Sequence, residues 1–223
     1  MELIEYADRE MLAMSLADNL ASVLRKCLTI HDHASFCVPG GSSPRETFST
    51  LSGVDIDWSR VHVFLNDERW VPEGHERSNT SLLKRTLLTD KAAAAVHIPL
   101  INDAETPEEG IPALLPALKS EFPISLLLLG MGEDMHTASL FPGADRLTEA
   151  MSPGAPVLVP MRADGAGEPR VTLSRPVLAD AMDIHVLIMG DAKREVLNRA
   201  RKLDPMEAPI AAFLRDATVH WAA

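Results

Sequence analysis

The stretch "LLLLGMGEDMHTASLFPG", residues 126–143, decides the fold and raises the first question about function. Four consecutive leucines predict a strand that is buried on both faces, which is typical of a parallel sheet. Gly130 and Gly132 then end the strand, and His136 follows among acidic and small hydroxylated residues. The stretch therefore predicts a central strand that leads into a polar loop, where His136 either does chemistry or is simply a polar loop residue.

The segments around this strand alternate between strand patterns and helix patterns. Strands are predicted at residues 34–38, 61–65, 124–130, 157–161 and 184–190, with a short helix and a last strand in the tail at 209–223. Helices are predicted at residues 8–29, 43–51, 78–88, 106–120, 172–181 and 191–202. Strands that alternate with helices indicate an α/β fold with a mostly parallel sheet.

Composition and charge exclude several classes of protein. The formal net charge of −11 argues against a general nucleic-acid binder, although a few local cations would still bind a small anion. Cys27 and Cys37 form no CxxC motif and no Cys/His cluster, so neither a disulfide framework nor a zinc site is predicted. The N-terminus carries acids where a secretory signal carries bases, and no run is long enough to span a membrane. We expect a cytoplasmic protein without a metal, a nucleic-acid partner or a membrane.

Ligands of parallel α/β sheets bind outside the carboxyl ends of the strands, which selects four loops. These loops follow Val38, Leu65, Leu129 and Met189. Because the carboxyl ends of parallel strands meet at one edge of a sheet, residues from all four loops are expected to lie together. Their chemistry is compatible, which weighs more than any one loop alone.

The loop after Val38, "PGGSSPRETF", combines glycines, serines and a predicted helix start, which together make an anion site. Ser43 is predicted to cap that helix, with Pro44 at its first position. Neither a GK[ST] sequence nor GxGxxG is present, so this is not a Walker loop or a dinucleotide fingerprint. The alternative to phosphate binding is a plain strand-to-helix turn. The candidate phosphate-binding residues are Gly40, Gly41, Ser42, Ser43 and Arg45.

The loop after Leu65 brings Asp67, Glu68 and Arg69 directly off a strand end. Burying charges without partners is costly, so these residues either form a solvated rim or face a polar ligand.

The two remaining loops each contain one candidate for chemistry. Asp134 lies close to His136, and a neighbouring carboxylate fixes the tautomer of a histidine and suits it to general-base catalysis. Lys193 lies in the first turn of a predicted helix, where the interaction of a cation with the helix dipole is unfavourable by about 0.5 kcal/mol. Such a lysine is explained by a nearby anion, or it is simply solvated.

Four motifs, taken in order, resemble those of the 6-phosphogluconolactonase family: "PGGSSPRETF", "NDERWVP" followed by "SN", "GMGEDMHTASLFPG" and "PRVTLSRPVL". The resemblance covers nearly the whole chain, and "HTASLFPG" is its most specific part. It implies one domain over residues 1–223, with a doubly wound, mostly parallel α/β sheet and helices on both faces. It also implies hydrolysis of 6-phosphoglucono-δ-lactone in the oxidative pentose phosphate route, with no metal and no organic cofactor.

The resemblance implies roles for residues of all four loops. The implied catalytic residues are His136, Asp67, Arg69 and Lys193, and the implied substrate- and phosphate-binding residues are Gly40, Gly41, Ser42, Ser43, Arg45, Arg69, Asn79, Gly132, Arg170 and Lys193. As a hypothesis, His136 takes a proton from the water that attacks the lactone and then protonates the ring oxygen, assistance worth ~10²–10⁴-fold. Arg69 or Lys193 would stabilise the oxyanion while the other binds phosphate. Asp67 would orient His136 or bind substrate hydroxyls.

One position departs from the family, because Met135 stands where many members have glycine between an aspartate and the histidine. A left-handed backbone would be strained at Met135, so we expect the loop to adjust and leave His136 in place. The Gly-rich segment 161–170 is expected to be a mobile excursion, and its action as a lid stays open at this point. A monomer or a weak dimer is expected.

Two rival functions remain at this point. Related deaminases carry a glutamate shortly after the histidine, whereas here the next acid is Asp145, which disfavours deamination and isomerisation. A non-catalytic sugar-phosphate sensor would carry a DNA-binding domain in front of the α/β pattern, and this pattern begins almost at once. A serine hydrolase is rejected, since no GxSxG elbow surrounds Ser139.

Overall fold

The computed structural model describes residues 1–223, and ten strands and eight helices make up its regular structure. The strands are β1 (Glu2–Glu5), β2 (Ala34–Val38), β3 (Val61–Leu65), β4 (Asp67–Arg69), β5 (Val96–His97), β6 (Leu126–Gly130), β7 (Leu158–Met161), β8 (Arg170–Leu173), β9 (Ile184–Met189) and β10 (Thr218–Ala222). The helices are α1 (Arg9–Leu28), α2 (Arg45–Ser52), α3 (Asn79–Thr86), α4 (Pro107–Leu118), α5 (Leu147–Met151), α6 (Arg175–Ala179), α7 (Asp191–Ala200) and α8 (Ala211–Leu214).

Seven strands form one parallel sheet in the order β1-β10-β9-β6-β2-β3-β5, which confirms the predicted α/β class. Every residue of β2 is buried, and so are the four leucines of β6. Alternate residues of a strand point to opposite faces, so complete burial means that both faces of the sheet are covered. The run of leucines therefore correctly predicted that β6 is a central strand of the sheet.

The winding of the chain reverses between β2 and β6. From β2 the chain adds β3 and β5 on one side, and then returns to add β6, β9 and β10 on the other. Neighbouring loops at such a reversal leave in opposite directions, which opens a crevice at the carboxyl edge of the sheet. The loop that contains His136 leaves β6 at this point, opposite the glycine turn that leaves β2.

A second, antiparallel sheet of order β4-β8-β7 was not predicted, and it corrects two expectations. The segment 161–170 is not a free excursion, because Met161 and Arg170 are partners in the β7–β8 ladder and only the residues between them form the hairpin loop. The helix predicted at 172–181 is reduced to α6, since its first residues complete β8. β7 lies within the strand predicted at residues 157–161, whereas β8 is only four residues long, too short for alternation to show.

Three helices begin at a side-chain cap, Asp8 capping α1 through the Met11 amide, and the cap predicted for α2 is absent. Ser78 accepts a hydrogen bond from the Ser81 amide and caps α3, and Thr106 caps α4 in the same way through the Glu109 amide. Ser43 does not cap α2, so that prediction is wrong. The glycine turn after β2 is one residue longer than predicted, so α2 begins at Arg45 and Pro44 takes the cap position, where it makes no side-chain hydrogen bond. Both serines of this turn are left to face the crevice.

No helix of the structure combines the length and the apolar composition that crossing a membrane requires.

Candidate active site

A cavity of about 270 Å³ lies in the crevice and is lined mainly by polar residues and glycines. Most of its lining comes from the loops after four neighbouring strands, β3, β2, β6 and β9, as predicted from the edge rule, and Asn79 of α3 and Arg170 of β8 complete it. Eleven of the twelve residues predicted for the site line it: Gly40, Gly41, Ser42, Ser43, Asp67, Arg69, Asn79, Gly132, His136, Arg170 and Lys193. The exception is Arg45, which is exposed on the first turn of α2 and is not part of the lining.

His136 is held by the carboxylate two residues before it. Its Nδ1 lies 2.5 Å from Oδ1 of Asp134, and the same oxygen accepts a hydrogen bond from the His136 amide. Burial alone would raise the pKa of Asp134, but the hydrogen bond and charge of His136 outweigh it and lower the pKa. With Nδ1 engaged in this way, Nε2 is the nitrogen available to a substrate or a water.

The loop around His136 leaves no room for a side chain at Gly132. A Cβ built there would lie 2.2 Å from Nδ1 of His136 and 2.4 Å from the Asp134 carboxylate. The Gly132 amide donates to the His136 carbonyl, and the Met135 amide donates to the Gly132 carbonyl, which closes a tight turn. Gly132 therefore positions the histidine, and only a glycine fits.

Met135 keeps a left-handed backbone, with a φ of +69°. The expectation that the loop would adjust is wrong in this respect, because the two backbone bonds of the turn and a third from the Ile210 amide to the Met135 carbonyl hold the conformation. His136 nevertheless stays in the cavity, as expected. The strain is tolerated because the turn and the core contact of the Met135 side chain over-determine the backbone.

Asp67 does not orient His136, which corrects that part of the prediction. Its Oδ2 accepts a hydrogen bond from the Ser139 hydroxyl at 2.5 Å and lies 3.7 Å from Nη1 of Arg170. Asp134 is much nearer to His136 along the chain and takes that role instead. Asp67 is 5% exposed, so the solvated-rim alternative is excluded for it, and it remains available to bind hydroxyl groups in the cavity.

Glu68 serves the fold. Its fully buried carboxylate accepts hydrogen bonds from the amides of Asn79 and Thr80, which caps the start of α3. Burial raises the pKa of Glu68, and these hydrogen bonds oppose that shift. The arrangement fixes Asn79, whose amide side chain donates to the Asp67 carbonyl and fills the space in front of Gly40.

Three cations reach the cavity, two of them from paired positions of neighbouring strands. Arg170 comes from β8 and Arg69 from β4, while Lys193 comes from the first turn of α7, as predicted. Burial lowers the pKa of Arg170 and of Lys193, and the charges of Asp67 and Glu133, respectively, oppose that shift. The Nε atoms of Arg69 and Arg170 are buried without a protein partner. Desolvated cations of this kind favour an anionic ligand.

Phe141 and Asn66 also belong to the site, although the sequence did not indicate them. The ring of Phe141 packs against the imidazole of His136 at 4.4 Å and lies under the guanidinium of Arg170 at 5.1 Å. Asn66 lines the cavity, and its buried Oδ1 has no protein partner. Its position directly before Asp67, at the end of β3, was the only available signal.

The comparisons with known proteins agree with this geometry. The family model described as glucosamine-6-phosphate isomerases/6-phosphogluconolactonase matches residues 7–221. The chain belongs to this family. A 6-phosphogluconolactonase from Rhizobium meliloti is 43% identical over 95% of this chain and 94% of its own length. Another, from Pseudomonas aeruginosa, is 42% identical over 94% of this chain and 90% of its own.

The solved structures place this family member in the same fold. A 6-phosphogluconolactonase from Shewanella baltica covers 100% of this chain and 98% of its own, with a TM-score of 0.95 at 33% identity. A monomeric glucosamine-6-phosphate deaminase shares the fold with a TM-score of 0.80 at 16% identity. The family fold therefore carries at least two chemistries, and the residues in the cavity have to distinguish them.

Proposed function

We propose that this chain hydrolyses 6-phosphoglucono-δ-lactone to 6-phosphogluconate, the second step of the oxidative pentose phosphate route. The observation that carries the proposal is His136, which is fixed by Asp134 in a cavity that also contains Arg69, Arg170 and Lys193. A general base and an anion-binding set in one cavity fit a substrate that has a reactive carbonyl at one end and a phosphate at the other. The names of the relatives point to the same reaction.

In this proposal His136 acts through Nε2. It takes a proton from a water as the water oxygen attacks the lactone carbonyl, and the C–O bond to the ring oxygen then breaks. The imidazolium gives its proton to that ring oxygen, so the histidine ends the cycle neutral. Asp134 stabilises the imidazolium between the two steps, which is the role of a carboxylate behind a catalytic histidine.

The cations divide the remaining work. One of Arg69 and Lys193 binds the phosphate together with the glycine turn, and the other stabilises the oxyanion that forms on the carbonyl. Arg170 pairs with Asp67 and stacks on Phe141, so its guanidinium is held in place and contributes a positive charge at the side of the anion site. A δ-lactone is already reactive, and none of these steps needs a covalent nucleophile.

The carboxylates of the cavity disfavour the isomerase and deaminase alternative. Asp67 is the only acid among the lining residues, and it already accepts from Ser139 and pairs with Arg170. Asp145, the first acid after the histidine, is exposed and accepts from the Arg162 amide outside the cavity. Apart from Asp134, which is bound to Nδ1 of His136, no further carboxylate stands beside the histidine to open a sugar ring.

Hydrolysis of freshly generated lactone by the purified wild type and by His136→Ala tests the proposal. The wild type should exceed spontaneous opening by orders of magnitude, and the variant should lose at least ~10²-fold in kcat while still binding 6-phosphogluconate. A wild type that hydrolyses at the background rate but binds 6-phosphogluconate would instead support the sensor alternative. Release of ammonia from glucosamine 6-phosphate would support the deaminase alternative.

We also propose that the chain acts in the cytoplasm as a monomer or a weak dimer. Cys27 and Cys37 are free thiols, which is typical of a reducing compartment.

A further inference from the structure

Three potential metal ligands meet at the edge of the sheet opposite the active site. His33 immediately precedes β2, His62 is the second residue of β3, and Glu121 lies five residues before β6. β6, β2 and β3 are neighbours, so the amino-terminal ends of three adjacent strands bring these side chains together. The spacing of 29 and 59 residues between them matches no metal-binding motif, which is why the sequence predicted no zinc site.

The donor atoms converge on one point. Nδ1 of His62 lies 3.0 Å and 3.2 Å from the two carboxylate oxygens of Glu121, and Nε2 of His33 lies 3.6 Å from Oε2. All ligand atoms lie within 4.8 Å of one another, and the two imidazole rings stack at 4.3 Å with an angle of 18° between their planes. Two ligands at about 2.1 Å on a tetrahedral ion are roughly 3.4 Å apart, close to the observed separations.

The carboxylate of Glu121 is buried without a lysine or an arginine beside it. Its side chain is 1% exposed, and the partners of its oxygens are the His62 ring, the Ser120 hydroxyl and, at 3.6 Å, the His33 ring. A buried carboxylate is stabilised when a cation lies next to it, and one divalent ion between these side chains would supply that charge.

We propose that His33, His62 and Glu121 bind one divalent transition-metal ion, with Zn²⁺ as the best match. Two imidazole nitrogens and one carboxylate oxygen are a common ligand set for this ion, and water would complete the tetrahedron because both histidines are partly exposed. The Ser120 hydroxyl donates to Oε1 of Glu121 and holds the carboxylate in place, as outer partners of metal ligands do.

The role of this site is structural. Its three ligands tie together the starts of β2, β3 and the segment before β6, where paired bonds between Ser35 and Ser125 already join two of these strands. The site lies at the opposite end of the strands from His136, so the ion takes no part in the reaction. An ion that binds only the folded chain raises its stability by mass action.

Zinc titration of the metal-free full chain tests this inference. Wild type should bind one Zn²⁺ per chain, and its Tm should rise by roughly 5–10 °C at a zinc concentration about 100 times Kd. The double variant His33→Gln/His62→Gln should bind at least ~100-fold more weakly. His31 is an exposed histidine that lines the same surface pocket as His33 and Glu121. His31→Gln is therefore the matched control, and it should bind Zn²⁺ as tightly as the wild type does.

Two further readouts separate this site from the active site. Co²⁺ should give the visible absorption of a tetrahedral site in the wild type and in His31→Gln, but not in the double variant. The double variant should keep its lactone hydrolysis, so failure of the metal site and failure of the lactonase proposal are distinguishable. The inference is overturned if the wild type binds no zinc, or if it binds zinc no more tightly than the double variant does. It is also overturned if the bound zinc inhibits hydrolysis through His136.

Discussion

The substitution Gly132→Ala tests whether the loop after β6 is built to hold one imidazole in place. An added Cβ would lie 2.2 Å from Nδ1 and 2.3 Å from Cε1 of His136, and 2.4 Å from Oδ1 of Asp134. The backbone at Gly132 is outside the left-handed region, so alanine is acceptable there by conformation alone. The perturbation therefore acts on the neighbouring side chains rather than on the backbone.

The size of the effect follows from these distances. Ordinary van der Waals contact begins at 3.4 Å, so the imidazole has to retreat by about 1.2 Å, and the Asp134 carboxylate by nearly as much. The hydrogen bond between them is 2.5 Å long, and such a retreat separates or misaligns it. A displacement of about 1 Å at a reacting group costs on the order of 10²-fold. We expect kcat to fall by roughly 10²-fold, to a value between those of the wild type and His136→Ala.

The assay is lactone hydrolysis measured against spontaneous opening, together with Tm. Gly154→Ala is the matched control, since an added Cβ meets nothing within 4 Å there, and it should leave kcat unchanged. Gly132→Ala should keep a Tm near that of the wild type while losing activity. If Gly132→Ala retains kcat within about threefold of wild type, the imidazole is not held as the structure indicates, and the argument for glycine at this position is refuted.

Three other substitutions extend the argument to charge, backbone strain and pH. Asp134→Asn keeps an acceptor for Nδ1 of His136 but removes the charge that stabilises the imidazolium. The kcat should therefore fall by roughly tenfold or more with KM little changed. An unchanged kcat would contradict the role assigned to Asp134. Met135→Gly should be about 1 kcal/mol more stable than Met135→Ala in urea unfolding, because only glycine adopts the left-handed backbone freely. Equal stabilities of the two variants would show that the backbone at residue 135 is not strained. Burial first, and then the charge of His185, lower the pKa of His220 from 6.5 to about 3, so between these values the unfolded chain binds a proton that the folded chain does not. Stability should therefore fall with decreasing pH by up to ~1.4 kcal/mol per pH unit in this window, and the slope should be smaller in His220→Gln; parallel slopes would exclude His220 as the cause.

The fold was predictable wherever a segment was long enough for its pattern to show. The leucines of β6 and the apolar run of β9 indicated buried parallel strands, and α1 followed from its helical spacing. The strands that escaped prediction are β1, β4, β5 and β8, which are two to four residues long. β4 consists of three charged residues, and only its pairing with β8 makes it a strand.

The sequence by itself determined most of the polar side chains that the crevice contains, although it missed Asn66 and Phe141. Its loops carry glycines, serines, cations and a histidine directly after buried strands, and parallel strands deliver such loops to one edge of the sheet. Only the tertiary structure decided how these groups pair, since Asp134 rather than Asp67 holds His136, and Arg45 lies outside the cavity. The same holds at the other edge, where His33, His62 and Glu121 meet although 88 residues separate the first from the last. The physical reason is that strand periodicity is a local property of the chain, whereas side-chain pairing depends on strand order and on Å-scale distances that local patterns do not encode.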